Sequence, residues 1–291
     1  MSKQTDLEII ILSYNSQFWL RKTLETLKQY YLSRTRYAVT VTVVDNDSQD
    51  DTVKMVRKDF AWVTLLQQSE NNGFAAGNNV ALEKSSARYC MLLNSDVECT
   101  AKSNFDILVD FMDQKEQIGI ITPRVQFSNG KLDPACHRGE PTISASFFYF
   151  SGLENFFPFS KIFGAYHQTY KRLDTIHTID ACSGAAMIVR MSATKKIGFL
   201  DEQFFMYAED LDWCKRFRDA GFLVVYHPSV VVIHHKYKSG IKGISKQIAR
   251  KTRHHFYDTM LQYYDKHYAK EYPGFVRSLV KYFALIKKGA V

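Results

Sequence analysis

Over the first hundred residues the apolar positions come in short unbroken runs, and the runs stop at polar clusters. Glu8 to Ser13 leads into Ser13-Tyr14-Asn15-Ser16, and Ala38 to Val44 leads into Asp45-Asn46-Asp47-Ser48. Val63 to Gln67 is a third run, and Tyr89 to Leu93 drives into Asn94-Ser95-Asp96. Runs this short, with no alternation, suit strands buried on both faces. Between them the spacing turns helical. Leu20, Leu24, Leu27 and Tyr31 share one face behind Ser16, a candidate cap. Val53, Val56 and Phe60 do the same behind Asp50 or Asp51. A glycine- and asparagine-rich loop, Asn71 to Asn79, opens a helix to about Ser86. The order β-α-β-α-β-α-β at short spacing predicts an α/β fold with a parallel sheet and right-handed crossovers. The polar clusters at Ser13, Asp45 and Asp96 then lie on one edge of that sheet, where open α/β sheets place their ligands.

Beyond Thr100 the pattern loosens. Phe105 to Gln114 reads as a helix, and Ile118 to Thr122 as a strand ending at Pro123. Val125-Gln126-Phe127, Ser-Asn-Gly and Lys131-Leu132 read as a hairpin. Thr142 to Tyr170 is rich in Phe and Tyr, either as core or as an exposed apolar lip for a lipid-bearing partner. Ala181 to Arg190 opens with small residues, which allow close approach of backbone to ligand, and ends apolar. Leu211, Cys214 and Phe217 fit a helix ending at Gly221, with Glu209 and Asp210 in its first turn. Val224 to Tyr226 and Val230 to Ile233 read as two strands, the second ending in His234-His235. From Ile241 the chain mixes Lys, Arg, Tyr and Phe at roughly helical spacing. This divides the chain into a first half at 1–100, a second half of the same domain at 101–240, and a basic, aromatic helical tail at 241–291.

Composition changes this picture little. The chain has 291 residues, enough for one large domain or two fused halves, and a net charge of +8. A moderate basic excess suits anionic partners, whether nucleotides, phospholipid headgroups or nucleic acid, and does not choose among them; nucleic acid is nonetheless not an expected partner. Five scattered cysteines with no Cys-x-x-Cys pair argue for reduced thiols in a cytoplasmic protein. The first residues lead into a strand without a signal-peptide hydrophobic region, and no apolar stretch is long enough to span a bilayer.

The candidate chemistry lies at the strand ends. Asp96 and Glu98 are candidates for holding a hard divalent cation with phosphate oxygens as co-ligands, and a plain strand-end turn is the alternative. A carboxylate after the second strand, Asp45, is placed for ribose hydroxyls or a base edge. Gly-x-Gly-x-x-Gly is absent after the first strand, and so is the Gly-Lys-Ser/Thr phosphate loop. That disfavours a hydride-transfer cofactor and a phosphate-loop hydrolase. Glu209 and Asp210 have an ordinary alternative as helix-start acids. His234 and His235 occupy consecutive strand positions, so only one faces any given site, and His234 is the one expected.

With these motifs in view the sequence resembles the inverting family-two glycosyltransferases of GT-A fold, above all their bacterial rhamnosyltransferase-like branch. The resemblance is carried over roughly residues 7 to 240 by Ile-Ile-Leu-Ser-Tyr-Asn-Ser, Val-Val-Asp-Asn-Asp-Ser-Gln-Asp, Asn-Asn-Gly-Phe-Ala-Ala-Gly-Asn-Asn and Leu-Leu-Asn-Ser-Asp-Val-Glu. Cys-Ser-Gly-Ala-Ala-Met-Ile-Val-Arg, Phe-Phe-Met-Tyr-Ala-Glu-Asp-Leu-Asp-Trp-Cys and Val-Ile-His-His follow in the family's order. It implies a mostly parallel central sheet flanked by helices, with a C-terminal helical tail. It also implies a nucleotide-sugar donor (dTDP- or UDP-linked) and a divalent metal, Mg or Mn. Carried over, Asp45 contacts the nucleoside with Ser13, Tyr14 and Asn15 beside it, and Asn72, Gly73 and Asn78 shape the nucleotide pocket. Asn94 and Ser95 lead into Asp96, the metal-binding carboxylate, with His234 (or His235) as a further ligand. Asp210 of the Glu209-Asp210 pair is the implied base. Asn94 stands where the fuller signature has a first aspartate, which leaves Asp96 as the single strong carboxylate there. The implied acceptor is a surface polysaccharide or lipid-linked glycan, reached at the inner face of the plasma membrane through a peripheral contact. A catalytically silent glycan- or nucleotide-binding subunit and a sugar nucleotidyltransferase are the other readings.

Overall fold

The computed structural model describes residues 4–236 and 246–289, with side chains described throughout except at 246–253. The first half alternates strand and helix: β1 (Leu7–Ser13), α1 (Gln17–Leu27), β2 (Val39–Asp45), α2 (Thr52–Asp59), β3 (Thr64–Gln67), α3 (Gly73–Leu82) and β4 (Tyr89–Leu93). Then come β5 (Val97–Cys99), α4 (Asp106–Asp113), β6 (Ile118–Gln126), α5 (Ile143–Phe150) and α6 (Leu153–Phe156). The remainder is β7 (His177–Ile179), β8 (Ala186–Arg190), α7 (Met191–Ile197), α8 (Glu209–Asp219), β9 (Leu223–His234), α9 (Lys246–His267) and α10 (Gly274–Lys288).

The nine strands among the described residues join one sheet in the order β3-β2-β1-β4-β8-β6-β9-β5, with β7 on β9. The four N-terminal strands pair in parallel, so the carboxyl ends of β1, β2 and β4 lie on one edge, as the apolar runs predict. β1, the second half of β2 and β4 are buried on both faces, every residue of β4 being buried and Ile9, Ile10, Ile11, Val43 and Val44 inaccessible, while the edge strand β3 is partly exposed. Beyond β4 the sheet is mixed rather than parallel, because β8 runs antiparallel between β4 and β6.

Two strand boundaries differ from the sequence pattern for one reason. β6 does not stop at Pro123 but continues to Gln126, and the two expected strands around His227 are a single β9. The register jumps from Pro123↔His227 to Arg124↔Val231, so the extra residues of a bulge sit on β9 opposite the proline. A proline, which cannot donate to a ladder, is tolerated at such a bulge. Helix α3 ends at Leu82, short of Ser86, and α5 opens the aromatic stretch with Thr142 accepting from the Ala145 amide.

The tail is helical where it is described; residues 241–245 lie outside the described residues. α9 packs Tyr263, Tyr264 and Tyr268 against Phe204 and Ala208, just ahead of α8, with Val276 and Val280 of α10 behind them. Among the described residues no helix is long and apolar enough to cross a membrane. The five cysteines are free and buried.

Candidate functional site

The polar ends of β1 and β2 are stitched to each other before they meet any ligand. Asn15 and Asp47 take left-handed backbone, at φ 48° and 67°, which Asn and Asp tolerate better than other non-glycine residues. The Asn15 amide donates to Ser48 Oγ (2.9 Å), and its side-chain oxygen accepts from the Gln49 amide (2.7 Å). Ser13 Oγ and Ser16 Oγ are 2.7 Å apart, so Ser16 bonds there rather than capping α1 with its side chain. Tyr14 is exposed on the loop between them. Within this frame Asp45 is fully buried. Its Oδ2 accepts from the Ser48 amide (3.1 Å), while its buried Oδ1 has no partner among the described residues. A buried acceptor left without a donor is costly, and an N–H or O–H of a ligand would satisfy it.

The glycine- and asparagine-rich loop joins this frame to the other half of the site. Asn46, which the sequence did not single out, donates to Asn71 Oδ1 (2.8 Å) and to the Gly73 carbonyl (3.1 Å). Gly73 has φ +84°, and a Cβ there would lie 2.2 Å from the Phe205 carbonyl oxygen, so only glycine fits. The Phe74 amide donates to that same carbonyl (2.7 Å), tying the start of α3 to the segment ahead of α8. Asn72 is the exposed N-cap residue of α3. Asn78 does not open toward a pocket: it is buried and donates to the Phe74 carbonyl of its own helix (2.8 Å). Asn79 clamps Leu200 instead, accepting from its amide (3.1 Å) and donating to its carbonyl (2.9 Å).

At the end of β4, Asn94 and Ser95 form the turn. The Asn94 amide donates to the Ala185 carbonyl (3.0 Å), and the Ser95 carbonyl accepts from Thr23 Oγ1 (2.8 Å). Asp96 follows, buried, with Oδ1 3.3 Å from His234 Nε2. β5 pairs Val97 with His234, and the alternation of side chains along a strand separates the two histidines. His234 meets Asp96. His235 is turned away, 2.7 Å from Glu98 and stacked on Trp19. His235 is therefore not part of the Asp96 group, and Glu98, tied also to Lys22, leaves with it.

His234 has a second carboxylate on its other ring nitrogen: Nδ1 lies 2.9 Å from Asp133 Oδ2. Burial disfavours the imidazolium, but Asp133 and Asp96 more than offset it and push its pKa up to about 9. Burial likewise opposes charge on Asp133, yet His234 and Lys236 hold it down at about 2. A buried carboxylate on Nδ1 fixes the ring so that Nε2 is the nitrogen presented to Asp96. The second sphere of a metal-bound histidine is built in this way. A set of one carboxylate and one imidazole is sparse for a divalent cation, and among the described residues no three such side chains are placed to hold one ion together. It fits a hard cation that completes its shell with phosphate oxygens and water.

The segment after Asp133 reaches the second half of the site. A short turn (Pro134–Cys136) separates Asp133 from Arg138, and five residues span at most about 18 Å. Arg138 is held by backbone hydrogen bonds to Ala181, and its guanidinium donates to Asp210 Oδ2 at 2.7 Å. Burial alone would work against its charge, but Asp210 and Tyr166 beside it raise its pKa, so it stays cationic. Asp210 Oδ1 accepts from the Leu211 amide (2.7 Å). Glu209 is buried with one oxygen unpartnered; burial, with Asp210's charge added, holds it well above the usual carboxylate range. Tyr207 and Ala208 just ahead are both left-handed (φ 71° and 66°), a strained pair that sets the angle at which α8 starts. The two adjacent acids sit in different surroundings: Glu209 is buried with an oxygen unpartnered, and Asp210 faces the Arg138 guanidinium.

Asp133 and Arg138 escaped the sequence reading. Asp-Pro marks a turn, but nothing local points to partners 101 and 72 residues away.

The family model described as Glycosyl transferase family 2 matches residues 8–198, a span that includes Asp45 and Asp96 and stops short of Asp210 and His234. The chain is 28% identical over 214 residues to the N-acetylglucosaminyl-diphospho-decaprenol L-rhamnosyltransferase of Mycobacterium tuberculosis, covering 69% of this chain and 68% of that protein. Its fold is similar to that of GalNAc-T7, solved with UDP, GalNAc and Mn2+ (TM-score 0.60, 13% identity), covering 86% of this chain but only 48% of that one. It is also similar to the mannosyltransferase PcManGT of Pyrobaculum calidifontis, solved with GDP-Man and Mn2+ (TM-score 0.58, 15% identity, 99% of this chain and 74% of that one). These likenesses establish a GT-A architecture, with the mixed sheet and C-terminal helices described above.

Proposed function

This chain belongs to glycosyl transferase family 2 and is a glycosyltransferase using nucleotide-sugar donors; we propose that it transfers the sugar with inversion, that rhamnose is the sugar, and that the acceptor is a hydroxyl of a lipid-linked or surface glycan. The rhamnose and the lipid-linked acceptor follow the mycobacterial relative's name. The free, buried cysteines suit a reducing compartment, so we place the reaction at the cytoplasmic face of the membrane.

One observation carries the mechanism: the Asp133–Arg138 segment touches both ends of the site, orienting His234 against Asp96 at one end and holding Asp210 at the other. Asp45, with its unpartnered Oδ1, binds the donor's base or ribose, framed by Ser13 and Asn15. Asp96 and His234 would hold a divalent cation together with the donor's diphosphate; when bound, it supplies positive charge against the leaving nucleoside diphosphate. Asp210 accepts the proton of the acceptor hydroxyl as that oxygen forms its bond to the anomeric carbon and the diphosphate departs. Arg138 fixes which carboxylate oxygen faces the acceptor, and burial beside Asp210 disfavours a second negative charge on Glu209. Incubating the protein with dTDP-rhamnose or UDP-sugars, with Mn or Mg and with and without chelator, tests this. Release of nucleoside diphosphate that chelator abolishes supports it. Binding without any release would instead favour a silent subunit.

A further inference from the structure

We propose that this chain docks on an anionic phospholipid bilayer through a continuous apolar surface formed by residues 147–162 and the outer face of α10. The inference deepens the transferase reading by naming the surface on which a lipid-linked acceptor is met.

α10 is apolar on two faces. Val276 and Val280 turn inward onto Tyr263, Tyr264 and Tyr268, and Ala284 is buried. Phe275, Leu279, Tyr282 and Ile286 recur at helical spacing on another stripe, and there they face out, Phe275 66% and Leu279 61% exposed. A surface helix of a globular protein normally buries its single apolar stripe and keeps the rest polar. The aromatic stretch repeats the pattern: Phe147, Phe156, Phe157, Phe159 and Ile162 are exposed, Phe159 by 86%. Helix α5 links the two parts, with ring contacts at Phe148 on one side and at Phe150 on the other. Phe148 touches Phe147 and Phe163, Phe163 touches Phe157, and Phe150 meets Phe283 of α10 at 5.2 Å between centroids. This is more clustered apolar surface than water-facing faces carry unless they bind something.

Charge selects the occupant. From Lys270 to Lys288 the chain has Lys270, Arg277, Lys281, Lys287 and Lys288 against Glu271 alone; Arg277 pairs with Asp265 and Lys288 with Asp258 of α9, and the basic excess is carried by Lys270, Lys281 and Lys287. Within 147–162 the one acid, Glu154, is buried on His167, and Lys161 is exposed. Apolar side chains with a basic rim match the headgroup boundary of an anionic bilayer. A second copy in a twofold contact would bring the same cations face to face. The surface also leads to the site, since Tyr149 stacks on Tyr166, which borders Arg138.

The test is flotation of the full chain with vesicles of phosphatidylglycerol and phosphatidylethanolamine, against vesicles of phosphatidylcholine. We expect flotation on the anionic vesicles that weakens with salt. It should fall by about tenfold or more in Phe156→Ser/Phe159→Ser and in Leu279→Ser/Ile286→Ser, with donor hydrolysis unchanged as the check on folding. A wild-type protein that stays with the soluble fraction overturns the proposal, as do variants that float equally well. Dimers that these substitutions dissociate, without vesicle binding, would make the face a contact between copies and overturn it too. Flotation of a protein that hydrolyses no donor would support the surface and sink the transferase reading alone.

Discussion

Arg138 and Asp210, 72 residues apart in sequence, form a 2.7 Å ion pair whose side chains are each only 12% exposed. A single donor atom of a planar guanidinium sets the carboxylate's direction there, while the Leu211 amide holds its other oxygen. The pair makes Arg138 a positioning residue for the proposed base.

Arg138→Lys keeps the charge but loses the planar fork. Turnover should fall by roughly 10²-fold with little change in donor KM, because the loss is in alignment during transfer. An Arg138→Lys protein with unchanged kcat and a raised donor KM would place Arg138 on the donor instead.

The two histidines should separate in a manganese titration. Asp133→Asn leaves the imidazole of His234 without its orienting carboxylate, and apparent metal affinity should drop about 10- to 100-fold. His235→Ala, which removes only a surface-side partner of Glu98 and Trp19, should leave the titration where it was. Equal effects of the two would undo the assignment of His234.

Asp45→Ala should weaken binding of nucleoside diphosphate by about 10- to 100-fold, the worth of a hydrogen bond to a charged group. Calorimetry with the nucleotide alone reads this without any turnover. Unchanged affinity would mean that the unpartnered Oδ1 faces no ligand.

Acid should undo the junction of α8 with α9. Asp212 is buried; burial opposes its charge, but hydrogen bonds from His267 and Lys266 and the charge of Arg216 bring its pKa from 3.8 down to about 2. The folded pKa is the lower one, so the contribution, about 2 kcal/mol, is complete above pH ~4 and is lost as pH falls through ~2. Urea unfolding of wild type and Asp212→Asn should differ at pH 7 and converge toward pH 2. A gap that is constant with pH would contradict the linkage.

What the sequence revealed follows from how local each signal is. β1, β2 and β4 were legible because they bury both faces, giving an unbroken apolar run that ends at a polar turn, and the half-exposed β3 by its place in the alternation of strand and helix. Asp45 and Asp96 stood out because they sit at those ends. The continuation of β6 through Pro123 was hidden because the bulge that permits it lies on β9. Strand alternation allowed only one of His234 and His235 to face the site, and the pairing of Val97 with His234 fixed it as His234, the one expected. Asn78 looked like a pocket residue but spends its amide on its own helix, while Asn79, beside it, makes the long-range clamp. The aromatic stretch reads the same in sequence whether buried or exposed, and the contact of Phe150 with Phe283 that joins it to α10 spans more than a hundred residues.

The most direct measurement is transfer by Asp210→Asn against wild type, under saturating donor and Mn, with nucleotide binding and thermal unfolding checked alongside. We predict a fall in turnover of about 10³-fold with donor affinity and folding preserved, as expected for loss of a general base. A normally folded Asp210→Asn protein that keeps near-full transfer activity would contradict the account.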